Sequence, residues 1–274
     1  MKLALVSDIH ANPEALQATL DDIARRCVDR IVCLGDIVGY NTKPGECVAL
    51  IRSADALCVA GNHDLAVSGR IPTKDFSSTA ARAVAWTQRR LTRDDLAFLG
   101  GLPLKVYIGG QVVAVHGALH PQIDCATVRL DSNERRMQSF QALMADPSGA
   151  RICAFGHTHH AGIYEFHDGR LVSRPEAHVR LRDDAYYLIN PGTVGQPRAR
   201  DRRASYAVVD LAQRTASLHR VAYDAAVPLA ATRAAGLAPA FAFVPAPVRG
   251  AIAAVLRAIG LDRPIRQFAG LLGL

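Results

Sequence analysis

Leu3-Ala4-Leu5-Val6-Ser7-Asp8-Ile9-His10-Ala11-Asn12-Pro13 stands near the start of the chain, and Ile31-Val32-Cys33-Leu34-Gly35-Asp36 follows one helix length later. Leu3 to Val6 reads as a fully buried strand and Asp8 to Asn12 as the loop leaving it. Pro13 suits the first turn of a helix, where its missing N–H costs nothing. Ala15, Leu16, Leu20, Ile23 and Ala24 keep a helical period, and Asp29-Arg30 separate that helix from a second buried strand, Ile31 to Leu34. Strand, helix, strand over about thirty residues is a βαβ unit with parallel strands and a right-handed crossover. Its two loops carry Asp8, His10 and Asp36 to the edge where open α/β folds hold ligands.

The same pattern recurs further along. Gly61-Asn62-His63-Asp64 follows an apolar run from Ala56 to Ala60, His116-Gly117 follows Gln111 to Val115, and Gly156-His157-Thr158-His159 follows Ile152 to Phe155. Pro44 to Ile51 predicts a helix, Gly61 to Asp64 a loop, and Lys74 to Leu91 one long helix with Trp86 in the core. Thr92 and Asp95 form a capping-box pattern for a short helix ended by Gly100-Gly101. Gly109-Gly110 and Asp168-Gly169 suit the turns of two hairpins, Leu104 to Val115 and Ile163 to Ser173. Pro103 reads as a turn residue, residues 118 to 129 as irregular, and Asn133 to Ala145 as a helix. Ala185 to Ile189, Tyr206 to Asp210 and Ser217 to Arg220 read as strands. Alternation early and β-rich sequence later predict an α/β fold of two packed sheets with helices outside.

Composition places a boundary. Residues 1–222 carry all the clusters, whereas 223–274 form an Ala/Pro-rich extension. Within it, Val227 to Pro247 has no clean period and reads as a linker or surface segment, and Val248 to Ile259 as a helix. The 274 residues are 50% hydrophobic, enough for a large core. The net charge of +7, with basic side chains mostly arginine, suits an anionic ligand. No dense basic block, zinc finger or RNA-binding signature argues for a dedicated nucleic-acid partner. The six cysteines form no CxxC pair, and three of them lie in strand-like runs. That usage suits a reducing compartment. No run reaches membrane-spanning length, so a cytoplasmic location is expected and a membrane partner is not. A homo-oligomer stays open.

Asp8, His10, Asp36, Asn62, His116, His157 and His159 offer carboxylate, amide and imidazole donors, each just beyond a strand. Mixed oxygen and nitrogen donors suit Mn, Fe, Zn, Co or Ni better than Mg or Ca. The set is too large for one ion and right for two divalent ions if one carboxylate bridges, and Asp36 is the natural bridge. Such a centre keeps net positive charge, attracts a phosphate ester and acidifies a bridging water.

The ordered set DxH, GD, GNHD, H, GHxH resembles the calcineurin-like metallophosphoesterase superfamily. Asp8 to Asn12 and Asn190-Pro191-Gly192-Thr193-Val194-Gly195-Gln196-Pro197 resemble its compact bacterial phosphodiesterase and phosphatase branch, with the likeness covering roughly residues 1 to 220. The resemblance implies a four-layer α/β/β/α sandwich of two mixed sheets with flanking helices. It implies one metal on Asp8, His10, Asp36 and His159, and another on Asp36, Asn62, His116 and His157, with manganese the expected ion in vitro. It places His63 at the leaving group and makes a metal-bound hydroxide the attacking group. Asp64 is expected to orient its loop, and Asn12, His120 and Arg198 to line the site. Asn190 to Pro197 is expected to border the cleft, with Arg198 or Arg200 facing a phosphate. His160 reads as a surface residue.

The protein serine/threonine phosphatases of the superfamily carry GDxxDRG, whereas here Gly35-Asp36-Ile37-Val38-Gly39-Tyr40-Asn41 lacks the later acid and the arginine. That departure counts against a phosphoprotein, and a small-molecule phosphodiester is the favoured substrate. A phosphomonoester or phosphoprotein, a dinucleoside polyphosphate, and a non-catalytic binding scaffold are the alternatives. The partner that orients His63 is left open.

Overall fold

The computed structural model describes residues 1–120, 125–198 and 201–238. The helix expected from Val248, the apolar end, Arg200 and part of the 118–129 loop lie outside the described residues.

The first sheet is built on β1 (Lys2–Val6), β2 (Arg30–Cys33) and β3 (Leu57–Cys58), which run parallel. Between them lie α1 (Pro13–Ala24) and α2 (Pro44–Ser53). Asn12 caps α1 by accepting the Ala15 N–H at 3.1 Å, and Pro13 takes the first helical position. The chain then forms α3 (Asn62–Val67), α4 (Ser78–Gln88) and α5 (Arg93–Gly101). The second sheet begins with the hairpin β4 (Lys105–Ile108) and β5 (Val112–Val115), followed by α6 (Asn133–Met144) and β6 (Ile152–Ala154). The second hairpin pairs β7 (Gly162–His167) with β8 (Arg170–Arg174). After β9 (His178–Arg180) come β10 (Tyr186–Asn190), β11 (Ala204–Asp210), β12 (Thr215–Val221) and α7 (Ala226–Ala234).

Strand order is β3-β2-β1-β11-β12-β9 in one sheet and β4-β5-β6-β10-β7-β8 in the other. The period of two in each strand sorts residues between layers. Leu3 and Leu5 join Val112, Ala114, Ile152 and Tyr187 between the sheets, whereas Ala4 and Val6 join Leu16, Ile23, Val48 and Ile51 under the outer helices. Val113, Val115, Cys153 and Leu188 pack with Phe140 and Leu143 of α6 on the far side. Helices, sheet, sheet, helix is the four-layer α/β/β/α arrangement. Within the second sheet β5, β6 and β10 are parallel, so each sheet presents a set of strand carboxyl ends at one edge.

Several local expectations are corrected. The long helix expected from Lys74 starts only at Ser78, because Ser77 caps it, and Phe76 stays in the preceding turn. Gly61 to Asp64 is not all loop, since α3 begins at Asn62 once the Asp64 carboxylate accepts the Gly61 N–H at 3.0 Å. Trp86 is half-buried, off the face of α4 that buries Ala83, Val84 and Thr87, and Arg90 lies over its ring. Helix α7 occupies the start of the stretch expected to be a linker, and its first turn accommodates Pro228. The short edge strand β9 lies in a stretch whose sequence shows no alternation.

Asp22 on α1 accepts from the Tyr206 hydroxyl and from Arg26 at 2.9 Å, tying α1 to β11. The Tyr206 hydroxyl, then Arg26 and Arg25, hold the Asp22 pKa down at about 2. A depressed carboxylate pKa stabilises the fold above the unfolded value near 4, and that contribution is lost as pH falls towards 2. Asp22→Asn is expected to cost about 1 kcal/mol at pH 7, a value reduced by the partial exposure of the pair. It should also flatten the acid limb between about pH 4 and 2. Urea unfolding across pH checks this, and an unchanged acid limb refutes it.

Candidate metal centre

Both sheet edges meet at one place. Asp8, Asp36 and Asn62 follow β1, β2 and β3, while His116, His157 with His159, and Asn190 follow or end β5, β6 and β10. The loops after β1 and β2 are laced together, with the N–H groups of Asp8, His10 and Ala11 donating to the carbonyls of Gly35, Asp36 and Ile37 at 2.9–3.0 Å. The two sheets are joined by the His157 N–H on Asp8 Oδ2 at 3.1 Å, while the Gly156 N–H on the His116 carbonyl at 2.7 Å ties the loops after β5 and β6.

This lacing demands unusual backbone. Asp8, His10, Asp36, Tyr40, His157 and His159 all have φ between 49° and 62°. Left-handed φ costs a residue with a Cβ about 1 kcal/mol or more, and such strain collects at functional sites.

The side chains converge. Asp8 Oδ1 lies 3.1 Å from His159 Nε2 and 3.8 Å from His10 Nε2, and the two Nε2 atoms are 3.2 Å apart. Asp36 Oδ2 lies 3.6 Å from His10 Nε2 and 3.3 Å from His116 Nε2, so one carboxylate oxygen faces both halves. Asn62 Oδ1 is 3.2 Å from His116 Nε2. Asp8, His10 and His159 form one cluster with ligand geometry, and Asp36, His116 and His157 another. His63 falls within the same reach of His10 and Asp36.

The donor chemistry fits cations. The Nδ1 atoms of His10, His116 and His159 face the carbonyls of Val38, Leu34 and Gln196 at 3.2, 2.7 and 2.9 Å. Those bonds put the ring proton on Nδ1 and turn the Nε2 lone pair inward, as metal-binding histidines require. Asp8 Oδ1 is buried and has no hydrogen-bond partner. Lone pairs and a bare carboxylate oxygen pressed together need positive charge between them.

The electrostatics agree. Burial pushes the Asp8 carboxyl up, but His159 and its neighbours bring it well below the usual range. Asp36 is likewise raised by burial and then pulled well below it by His116, His63 and His10. Burial pushes His116 down, but Asp36 overrides this and lifts it to about 9. Metal binding there would displace a proton and tighten as pH rises. Burial pushes His10 and His157 down.

The remaining candidates take separate places. Asp64 accepts the N–H groups of Ile37, Val38 and Gly61 at 3.0–3.2 Å, and burial followed by Asp36 raises its pKa to about 7. Asn12 caps α1 and donates to the Gly195 carbonyl at 2.9 Å. Asn190 to Gln196 is largely buried and serves as a brace, with Thr193 Oγ1 donating to the Asp8 carbonyl at 2.7 Å. Arg198 reaches the centre, its Nη2 3.2 Å from His159 Nε2. His120 is half-buried and His160 is exposed.

His63 Nδ1 is buried without a partner. Burial lowers its pKa to about 4, and its ring packs on Tyr40, His10 and Phe76 at 4.7–5.2 Å. Gly39, at a φ of 96°, leaves the room that the ring fills, since a Cβ on it would stand 2.4 Å from His63 Nδ1. The sequence pattern does not mark Tyr40, Phe76 or Arg129. Arg129 is half-buried and pairs with Asp131, its Nε 3.7 Å from Oδ2, while burial followed by Arg198 lowers its pKa. It stands between Val128 and Leu130 in a stretch without periodicity.

Among the described residues, no helix is long and apolar enough to cross a membrane. Residues 1–214 match the Calcineurin-like phosphoesterase superfamily domain. The uncharacterized protein MJ0912 of Methanocaldococcus jannaschii is 36% identical over 230 residues, which cover 81% of this chain and 88% of that protein. The crystal structure of a metallophosphoesterase from Sphaerobacter thermophilus superposes with a TM-score of 0.71 at 35% identity, covering 88% of this chain and 95% of that one. The hypothetical protein PH1004 from Pyrococcus horikoshii OT3 shares the fold, with a TM-score of 0.69 at 17% identity over 91% of this chain and 96% of that one.

Proposed function

The chain belongs to the calcineurin-like phosphoesterase superfamily, and on that ground we propose that it is a metal-dependent phosphohydrolase of small phosphate esters, with phosphodiesters favoured. One observation carries the reading: Asp36 Oδ2 faces His10 on one side and His116 on the other, joining two clusters of buried donors. Asp8, His10, Asp36 and His159 would hold one divalent cation, and Asp36, Asn62, His116 and His157 a second, with manganese the first ion to test. When bound, the pair would supply Lewis acidity to the phosphoryl oxygens and acidify a water.

The chain's own residues would do the rest. Arg198, beside His159, gives the centre positive charge for an anionic ester. His63, held by packing, would meet the leaving oxygen. The diester preference rests on the likeness of the Asp8–Asn12 and Asn190–Pro197 segments, while Gly39 and Tyr40, standing where the protein phosphatases carry an acid and an arginine, count against a phosphoprotein.

The test is hydrolysis of matched nitrophenyl phosphate monoester and bis-nitrophenyl diester by manganese-reloaded protein. Faster diester turnover is expected, with Arg198→Ala raising KM roughly tenfold and kcat changing less. Faster monoester turnover would refute the diester preference. No turnover of either ester with both ions bound would favour the scaffold alternative.

A further inference from the structure

The extension beyond the matched residues touches the candidate centre. Thr232 of α7 is buried, and its hydroxyl donates to Asn41 Oδ1 at 2.9 Å rather than bonding back to its own helix. Asn41 Nδ2 in turn donates to the His10 carbonyl at 2.7 Å and approaches Gln196 Oε1 at 3.4 Å. The carbonyl of His10 fixes which way the amide points, so Oδ1 must face Thr232. His10 is held at a φ of 49°, a conformation that relaxes unless its surroundings enforce it. Its Nε2 faces Asp8, Asp36 and His159, so a backbone shift at its carbonyl would swing a candidate ligand. A second clasp holds the chain just past α7, where Arg82 of α4 donates to the Ala238 carbonyl at 3.3 Å and Leu237 and Ala238 are buried.

We propose that the C-terminal extension positions the metal centre through a buried Thr232–Asn41–His10 relay, Thr232 and Asn41 acting as positioning residues. The proposal rests on the metal-site reading above. Losing the hydroxyl leaves Asn41 Oδ1 buried without a donor, which loosens the amide and leaves the His10 carbonyl only the longer bond from the Asn41 N–H, at 3.4 Å. Coupling of this kind is reciprocal, so metal binding would also tighten the docking of α7.

The test is calorimetric titration of the metal-stripped full chain with manganese, comparing wild type, Thr232→Val and Thr232→Ser. Valine keeps the shape and loses the hydroxyl, whereas serine keeps the hydroxyl. Thr232→Val is expected to weaken manganese binding about tenfold, the lower end of what removing a support behind a ligand costs, and Thr232→Ser to bind like wild type. Wild-type affinity in Thr232→Val overturns the relay, as does equal weakening in Thr232→Ser, which would trace the effect to packing. A wild-type chain that binds no manganese overturns the metal reading itself, so the two failures are distinguishable.

Discussion

Asp36→Asn is expected to lower turnover of either nitrophenyl ester by about a thousandfold or more while the protein still folds. The carboxylate has two separate tasks. Its Oδ1 accepts the His63 N–H at 2.8 Å, and its Oδ2 faces His10 and His116. An asparagine keeps the first bond and puts amide hydrogens where the second oxygen stood. Those hydrogens can satisfy the histidine lone pairs that otherwise call for a cation. The charge that lifts His116 is also removed, leaving burial to keep that ring neutral. The metal-free variant should therefore melt at or above metal-free wild type, yet lose the stabilisation that bound manganese confers. Thermal melts with and without manganese, alongside the ester assay, separate these effects. Full metal stoichiometry with undiminished turnover would sink the bridging role.

Gly61→Ala is the second large effect, and it is steric. The φ of Gly61 is −88°, ordinary for any residue. A Cβ there would lie 2.2 Å from both the backbone nitrogen and Oδ1 of Asp36, atoms that cannot yield without moving the loop after β2. The expected cost is about 2–3 kcal/mol of stability, with loss of metal binding as Asp36 is displaced. Gly45 is the control, since a Cβ on it meets nothing within 4 Å and it lies in α2. Gly45→Ala should be neutral or slightly stabilising. Urea unfolding and manganese titration of both variants decide the matter. A Gly61→Ala protein as stable as Gly45→Ala, with two ions bound, would show that the close approach is not a constraint.

The βαβ start was legible because buried parallel strands leave uninterrupted apolar runs, and Asn12-Pro13 marks a helix entry by local chemistry alone. Capping by Thr92 and Asp95 and the turns at Gly109-Gly110 and Asp168-Gly169 are local in the same way. The length of α4 was not legible, since Phe76 leaves the helical path to pack on His63. Nor was α7, whose Thr232 bonds Asn41, nearly two hundred residues earlier in the chain.

The amino-acid order alone dictates the set of chemical groups and the edge to which they come. Strand direction follows from burial and crossover handedness, so Asp8, Asp36, Asn62, His116 and His159 emerge beyond strand ends. Which atoms face one another is a matter of packing in three dimensions. The left-handed turns at Asp8, His10, Asp36, His157 and His159, the unpartnered Asp8 Oδ1, the packing of His63 on Tyr40 and Phe76, and the reach of Arg198 and Thr232 all depend on segments from across the fold meeting. Hydrophobic pattern carries over short distances along the chain, whereas these contacts are set by close packing between segments far apart in it.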